Sequence, residues 1–227
     1  MQRISTLLFA AMPDFTPANK QAHVGVIGKR SVRSIAAMLG AMDAGAVYIP
    51  LDLDNPVDRL LLVIGEGAVD VLLSTDEEGA ALAAKLLGEG LQRHPGLQHL
   101  RYADDADAVV HADRGNVHVS PDDVAYMIFT SGATGTPKGV PISHAAFAAM
   151  IRQQIPAFDV RPDDVCGQFA ALSFDASLSE VFLALGTGAS LAIAPDAARN
   201  DIDIFINIRR LVKTTCEFKI KMCPKKF

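Results

Sequence analysis

Long apolar runs are absent from this sequence of 227 residues, although half of its residues are hydrophobic. No run approaches the ~20 residues that a membrane-spanning helix needs, so we expect no membrane partner. The first twelve residues hold one arginine and a short apolar run, but no cleavage pattern typical of a signal peptide follows. We therefore interpret residues 1–22 as a ragged N-terminal segment.

Cysteine is scarce as well. The three cysteines, Cys166, Cys216 and Cys223, are too few for a disulfide framework and lack the paired spacing of a metal site. A chain without such a framework is typical of a reducing compartment, so the composition favours a cytoplasmic protein.

Basic residues are few outside the last part of the chain. Residues 204–227 contain seven lysines and arginines against one acid, and because the whole chain carries −5, residues 1–203 carry −11. A strongly acidic body argues against nucleic acid as a partner.

Short apolar segments alternate with longer amphipathic segments through most of the chain. Helices of ten or more residues between such segments indicate an α/β fold, with a mostly parallel sheet and helices on both faces. Ser31, Asn55 with Pro56 after it, and Ser143 are typical of helix starts. Residues 94–123 are polar, and we predict a surface excursion there. The predicted strands are residues 23–27, 47–50, 69–73, 124–129, 165–170 and 189–194; the predicted helices begin near residues 32, 56, 77, 144 and 178.

One loop, FTSGATGTPKG at residues 129–139, follows a strongly apolar predicted strand and precedes a predicted helix. In an α/β sheet this position is the carboxyl edge, where ligands bind. Glycines let backbone N–H groups approach an anion, threonine and serine add hydroxyl donors, and lysine adds a positive charge. These features together suit a polyphosphate.

The spacing differs from that of the common P-loop, because Pro137 precedes Lys138 and no serine or threonine follows the lysine. A surface hairpin turn rich in glycine and threonine is the structural alternative. The density of donors directly after a buried strand favours the phosphate-binding interpretation.

The stretch YMIFTSGATGTPKGVPISH, residues 126–144, resembles the phosphate-binding signature of the adenylate-forming enzymes. This superfamily includes the adenylation domains of nonribosomal peptide synthetases, acyl-CoA synthetases and luciferases. AMDAGAVYIPLDLDNPVDRL, residues 41–60, and LSFDASLSEVFLALGTGASLAIAP, residues 172–195, are similar to two further family segments, in the family's order. The resemblance covers residues 23–203, which we predict to be a partial AMP-binding domain.

The resemblance implies that the loop binds the β and γ phosphates of ATP and that Mg²⁺ takes part in the reaction. Donors and a cation at this place would stabilise the charge that develops on pyrophosphate. The implied cofactor-binding residues are Thr130, Ser131, Gly132, Thr134, Gly135, Thr136 and Lys138.

The FDAS segment resembles that of amino-acid-activating adenylation domains in particular. The resemblance implies that Asp175 pairs with the α-ammonium of an amino-acid substrate, and that Ala176 and Ser179 line its side-chain pocket. We expect Asp175 to be a buried carboxylate, which also excludes fatty acids, because an unpaired buried carboxylate costs several kcal/mol.

Helix capping is the alternative for this segment. Asp175 and Ser177 are ordinary capping residues, and Ser177 with Glu180 has the spacing of a capping box. The resemblance favours the substrate role for Asp175, whereas we interpret Ser177 and Glu180 as structural. His144 is a weak candidate for a substrate-side role, and a surface histidine in a first helical turn is an equal alternative.

The family's later motifs for adenine, ribose, magnesium and the reacting carboxylate have no counterpart in this sequence, so we assign no catalytic residue. We interpret residues 204–227 as a basic tail that departs from the family. A frameshift or premature junction in the gene is favoured, because the family pattern stops within the domain; a true tail that docks on a membrane or an acidic partner is the alternative.

The expected function is therefore ATP-dependent activation of an amino acid for nonribosomal peptide synthesis, here as an incomplete and inactive fragment. In the full synthetase the partner would be a peptidyl carrier domain that bears phosphopantetheine. A fragment of an acyl- or aryl-acid-CoA ligase and a non-catalytic interaction protein are the alternatives.

Overall fold

The computed structural model describes residues 21–90, 94–102, 119–131 and 136–195. The chain divides into two compact units, Met1–Phe147 and Ala148–Phe227. Among the described residues, no helix is both long enough and apolar enough to cross a membrane.

A six-stranded sheet organises the first unit. Its strands lie in the order β4-β3-β1-β2-β5-β6, and all neighbours are parallel except the antiparallel pair β5 and β6. The described elements of this unit are β1 (His23–Ile27), α1 (Val32–Asp43), β2 (Val47–Leu51), α2 (Val57–Glu66), β3 (Val71–Ser74), α3 (Glu77–Gly90), β4 (Gln98–Arg101), β5 (Val124–Thr130), β6 (Lys138–Ser143) and the start of α4 (His144–Phe158).

Helices cover both faces of this sheet. Val47, Ile49 and Leu51 of β2 pack in one buried cluster with residues of α2 and α3, such as Leu60 and Leu86. Alternate residues of a strand point to opposite faces, so the fully buried Tyr48 lies on the other face, where α1 packs on β1 and β2. The predicted fold class, a mostly parallel sheet with helices on both faces, is confirmed.

Two strands were not expected from the sequence. β4 lies inside the region predicted as a surface excursion, and it pairs in parallel with β3 from Val71↔Gln98 to Ser74↔Arg101. The loop was predicted to lead directly into a helix, but β6 comes between them. Residues 138–143 pair with β5 as an antiparallel edge strand. Both strands are largely polar or exposed, so apolar periodicity could not indicate them.

Two of the three predicted helix starts are confirmed. The Ser31 side chain accepts a hydrogen bond from the backbone N–H of Ser34, and the Ser143 hydroxyl accepts one from Ala146. The third is shifted, because Pro56 occupies the N-cap position of α2 and no side chain caps that end. Asn55 is therefore not the cap, and Val57 rather than proline begins the helix.

The second unit contains a parallel pair of strands and one helix between them. β7 (Val165–Gln168) leads to α5 (Asp175–Thr187), and the chain returns through Gly188 to β8 (Ser190–Ile193). Gly188 has φ +81°, a left-handed conformation that glycine adopts without strain, and it ends the helix. Cys166, Leu183 and Ala184 form the centre of a small core with Val160 and Ala189.

Candidate functional site

A hairpin carries the described part of the predicted phosphate loop. Thr130 is the last residue of β5 and Lys138 is the first of β6, and their Cα atoms are paired across the antiparallel ladder. The Thr130 hydroxyl donates a hydrogen bond of 3.5 Å to the Lys138 carbonyl oxygen. The two side chains therefore sit at the tip of one hairpin, where residues 131–137 connect the strands.

The hairpin tip lies at the carboxyl edge of the parallel strands, as predicted. β5 runs parallel to β2, so Thr130 ends at the same edge as Leu51 of β2 and Ile27 of β1. The prediction that a helix follows the loop directly was wrong, since β6 comes first. The alternative, a hairpin turn, agrees with the structure in that the two flanking strands form an antiparallel hairpin. A hairpin tip with this composition can still bind a phosphate.

The polar side chains at the tip face solvent. Thr130, Ser131, Thr136 and Lys138 are exposed, whereas Pro137 is buried. Among the described residues, Lys138 has no carboxylate partner, so its ammonium group is available to an anion. The predicted residues Gly132, Thr134 and Gly135 lie outside the described residues.

Gly139 packs tightly where β6 begins. A Cβ atom at this position would lie 2.5 Å from the sulfur of Met127 and 3.0 Å from the ring of Phe129. The sequence suggested that this glycine serves the approach of an anion. The structure adds a packing contact, because the side chains of Met127 and Phe129 lie beside its Cα, and the role toward an anion stays a prediction.

His144 does not lie near the hairpin tip. Because β6 separates it from Lys138 by six positions, the two Cα atoms are roughly 20 Å apart along the strand. His144 begins α4, where its backbone N–H donates to the Asp123 carbonyl oxygen at 2.9 Å. Burial lowers the pKa of its imidazole, and the nearby Asp123 carboxylate partly offsets this effect. His144 is half-buried, and its buried Nε2 has no hydrogen-bond partner among the described residues, so it is not the surface histidine of the alternative, and its role stays a prediction.

The predicted amine-binding residue, Asp175, is the first residue of α5 in the second unit. It is not the helix cap, since Phe174 occupies that position without a side-chain cap bond. A carboxylate in the first turn still interacts favourably with the helix dipole. Asp175 is exposed, so the expectation of a buried carboxylate that disfavours fatty acids was wrong.

The two predicted pocket residues follow Asp175 on the same helix. Ala176 is exposed and Ser179 is half-buried. Phe174, directly before Asp175, is 63% exposed, which is unusual for a phenylalanine. The sequence analysis did not single out Phe174, whose exposed ring next to a carboxylate offers an apolar surface beside a charge.

The predicted capping box of Ser177 and Glu180 does not form. Ser177 is completely buried inside the helix, and its hydroxyl donates to the carbonyl oxygens of Phe174 at 2.7 Å and Leu172 at 3.3 Å. The Glu180 carboxylate instead accepts hydrogen bonds from the backbone N–H groups of Phe169 and Ala170. Their interpretation as structural residues agrees with these contacts, although the bonds differ from those of a capping box.

The donor set at the hairpin tip suits phosphate oxygens. Hydroxyl groups and an ammonium group donate hydrogen bonds or carry positive charge, and the described tip residues contain no carboxylate that could ligate a cation. Among the described residues, no group of three or more metal-ligating side chains occurs. The residues therefore fit the phosphates of ATP, and the involvement of Mg²⁺ stays a prediction.

A family model of AMP-binding enzymes matches residues 17–217. The chain belongs to the AMP-binding enzyme family. This family contains the adenylate-forming enzymes, so the resemblance of the three sequence segments is confirmed.

Two known proteins illustrate what this AMP-binding chain is similar to. Chondramide synthase cmdD of Chondromyces crocatus is 37% identical over 175 residues, which are 76% of this chain and 4% of that protein. The L-proline--[L-prolyl-carrier protein] ligase of Streptomyces coelicolor is 35% identical over 185 residues, 75% of this chain and 34% of that protein. The chain thus spans about a third or less of the length of these relatives.

Solved structures show the same fold. The nonribosomal peptide synthetase FmoA3 matches with a TM-score of 0.74 and 28% identity over 94% of this chain and 21% of that chain. A crystal structure of the same protein bound to AMPPNP matches with a TM-score of 0.72 and 26% identity, over 94% of this chain and 21% of that one.

Proposed function

We propose that this AMP-binding chain takes part in the activation of an amino acid as its aminoacyl adenylate. The amino-acid carboxylate attacks the α-phosphorus of ATP, the bond between the α-phosphorus and the bridging oxygen breaks, and pyrophosphate leaves. In a longer synthetase the aminoacyl group would then pass to the phosphopantetheine thiol of a peptidyl carrier domain.

The observation that carries this proposal is the pairing of Thr130 with Lys138 at the tip of the hairpin. It brings a hydroxyl donor and an ammonium group, eight residues apart in sequence, to one place at the carboxyl edge of the sheet. Phosphates bind where backbone and side-chain donors converge with a positive charge. We assign Thr130, Ser131, Thr136 and Lys138 to ATP, together with the predicted loop residues of the undescribed segment.

Lys138 would act as a point charge on the pyrophosphate part of ATP. Negative charge grows on the leaving pyrophosphate as the bond to the α-phosphorus breaks, so a cation at this place stabilises the transition state more than the ground state. Magnesium, when bound, would supply further positive charge to the same oxygens. Thr130 and Thr136 would hold the phosphates by hydrogen bonds.

Asp175 would bind the α-ammonium of the amino acid. An exposed carboxylate attracts a cationic group without the large desolvation cost of a buried one, so this role does not depend on the burial that the sequence analysis expected. Ala176 and Ser179 would contact the amino-acid side chain. The similarity to peptide synthetases, one of them named for L-proline and its carrier protein, supports an amino acid over a fatty or aryl acid.

Replacement of Lys138 by alanine tests the ATP site. We expect the affinity for AMPPNP to fall about tenfold or more in titration calorimetry, because one charge-assisted contact to the phosphates is lost. Lys85→Ala is the matched control, since Lys85 is an exposed lysine on α3.

The control should bind AMPPNP as the wild-type chain does. If the Lys138→Ala variant and the wild type bind AMPPNP with equal affinity, the hairpin is not part of the ATP site and the proposal is contradicted.

A further inference from the structure

The connection between β7 and α5, residues 169–174, ends directly before Asp175. A loop of this kind exposes backbone N–H and C=O groups that need partners, and an unpinned loop would let the residue after it move. Two buried side chains of α5, Ser177 and Glu180, provide partners at its two ends.

Glu180 holds the beginning of the connection. One of its carboxylate oxygens lies 3.0 Å from the backbone nitrogens of both Phe169 and Ala170, and 3.1 Å from Nε2 of the fully buried Gln168. The other oxygen accepts a 3.2 Å bond from Ala170. Glu180 is itself only 8% exposed, and a buried carboxylate is tolerated when several donors satisfy it.

Ser177 holds the end of the connection. Its hydroxyl donates to the carbonyl oxygens of Leu172 and Phe174, the latter at 2.7 Å. Ser177 and Glu180 are three residues apart, so they lie on the same face of α5. One helix face therefore binds the N–H groups at the start of the connection and the carbonyl groups at its end.

A glycine in β7 completes the packing. A Cβ atom at Gly167 would lie under 3.0 Å from the ring of Phe169, so the ring occupies the space that any other residue at this position would fill. The Phe169 ring therefore packs against Gly167 of β7, while the backbone N–H of Phe169 donates a hydrogen bond to the Glu180 carboxylate. Backbone and side chain of Phe169 are both fixed at the start of the connection.

We propose that Glu180 and Ser177 are positioning residues that fix the β7–α5 connection and, through it, the place of Asp175. The proposal rests on the proposed function in one respect, namely that Asp175 binds the amino acid. The two residues do not contact the substrate; they act on its binding by keeping the carboxylate of Asp175 in one position.

Two variants of the full chain test whether Glu180 and Ser177 hold the β7–α5 connection. Glu180→Gln keeps the shape of the side chain but replaces an acceptor oxygen with a donor, and Ser177→Ala removes the hydroxyl while favouring the helix. By NMR hydrogen exchange, we expect the Phe169 and Ala170 amides of the Glu180→Gln variant to exchange about tenfold faster than in the wild type. Glu89→Gln and Ser190→Ala, at exposed positions, are the controls. Unchanged exchange at both amides would overturn the proposal.

Ligand binding separates a positioning role from a merely structural one. The twenty proteinogenic L-amino acids are titrated into the wild-type chain with AMPPNP present, and the tightest binder is then titrated into each variant. We expect affinity for this amino acid to fall about tenfold in both variants, while affinity for AMPPNP alone stays within about twofold, because neither Ser177 nor Glu180 is among the residues assigned to ATP.

Equal losses for both ligands would indicate general damage to the fold and overturn the positioning role. Faster amide exchange with unchanged amino-acid affinity would overturn it as well. If the wild-type chain binds AMPPNP but none of the amino acids, the proposed function fails for Asp175 and the positioning role fails with it, while the exchange data still show whether Glu180 holds the connection.

Discussion

Tyr48 departs from the rule that buried polar groups form hydrogen bonds. Its side chain is completely buried on the α1 face of the sheet, and within the described part of the chain its hydroxyl has no hydrogen-bond partner. Burial raises the pKa of this phenol well above its usual value of about 10. A buried polar group without a partner costs about 1–3 kcal/mol, so the hydroxyl of Tyr48 offsets part of the stabilisation that its buried ring contributes.

Replacement of Tyr48 by phenylalanine should raise the free energy of unfolding by about 1 kcal/mol at neutral pH, because the unpaired hydroxyl disappears at almost constant volume. The pH dependence should change too. Above about pH 10 the unfolded chain releases the Tyr48 proton while the folded chain retains it, so wild-type stability falls as pH rises, and the variant lacks this part of the loss.

Urea denaturation at pH 7 and pH 10.5 measures both effects, with the partly exposed Tyr102→Phe as the control. A marked loss of stability in the Tyr48→Phe variant would mean that the hydroxyl has a partner after all.

At the residue scale, the sequence indicated whether a residue has a structural role, but it did not indicate which groups a residue contacts unless they are neighbours in the chain. Ser31 and Ser143 cap helices as predicted, because capping depends on neighbours within one turn of the chain. Glu180 satisfies the capping-box pattern but binds the backbone 10 and 11 residues away, where β7 ends. No local pattern reveals such a contact. The exposure of Asp175 could not be predicted from the sequence either, because exposure depends on what packs against a residue.

At the scale of elements, apolar segments identified the buried strands of the six-stranded sheet and missed its two exposed edge strands. β1, β2 and β3 are almost wholly buried, and their runs of valine, isoleucine and leucine are the signal that the sequence carries. β4 and β6 are the two edges of the sheet, and most of their residues face solvent. Edge strands acquire their conformation from their neighbours, which a single sequence does not display.

Close packing of α3 on β1 gives a prediction at this scale. A Cβ atom at Gly79 would lie less than 3.0 Å from the carbonyl oxygen of Ile27, and backbone cannot move aside cheaply. Gly79→Ala should therefore lower the free energy of unfolding by about 1–3 kcal/mol. Gly88→Ala in the same helix meets nothing within 4 Å and should raise it by up to about 1 kcal/mol.

Denaturant midpoints of the two variants give the comparison. Equal shifts in the same direction would contradict the close approach of α3 to β1.

At the scale of the whole molecule, the residues that the proposal assigns to ATP and those that it assigns to the amino acid lie in different units. The hairpin tip with Thr130 and Lys138 belongs to Met1–Phe147, whereas Asp175, Ser177 and Glu180 belong to Ala148–Phe227. The family and the fold class were predictable because three segments in one order carry the resemblance, and a family model matches residues 17–217. The domain limits at residues 22 and 203 and the assignment of the basic residues 204–227 stay predictions.

Amino-acid binding by the Asp175→Ala variant tests the central claim most directly. Calorimetric titration with AMPPNP and the tightest-binding amino acid compares it with the wild type and with Asp163→Ala, an exposed aspartate of the same unit. The proposed function predicts that Asp175→Ala binds the amino acid about tenfold more weakly or worse, that it binds AMPPNP normally, and that Asp163→Ala resembles the wild type. Unchanged amino-acid affinity in the Asp175→Ala variant, or equal wild-type affinity for the same acid without its α-amino group, would contradict the claim.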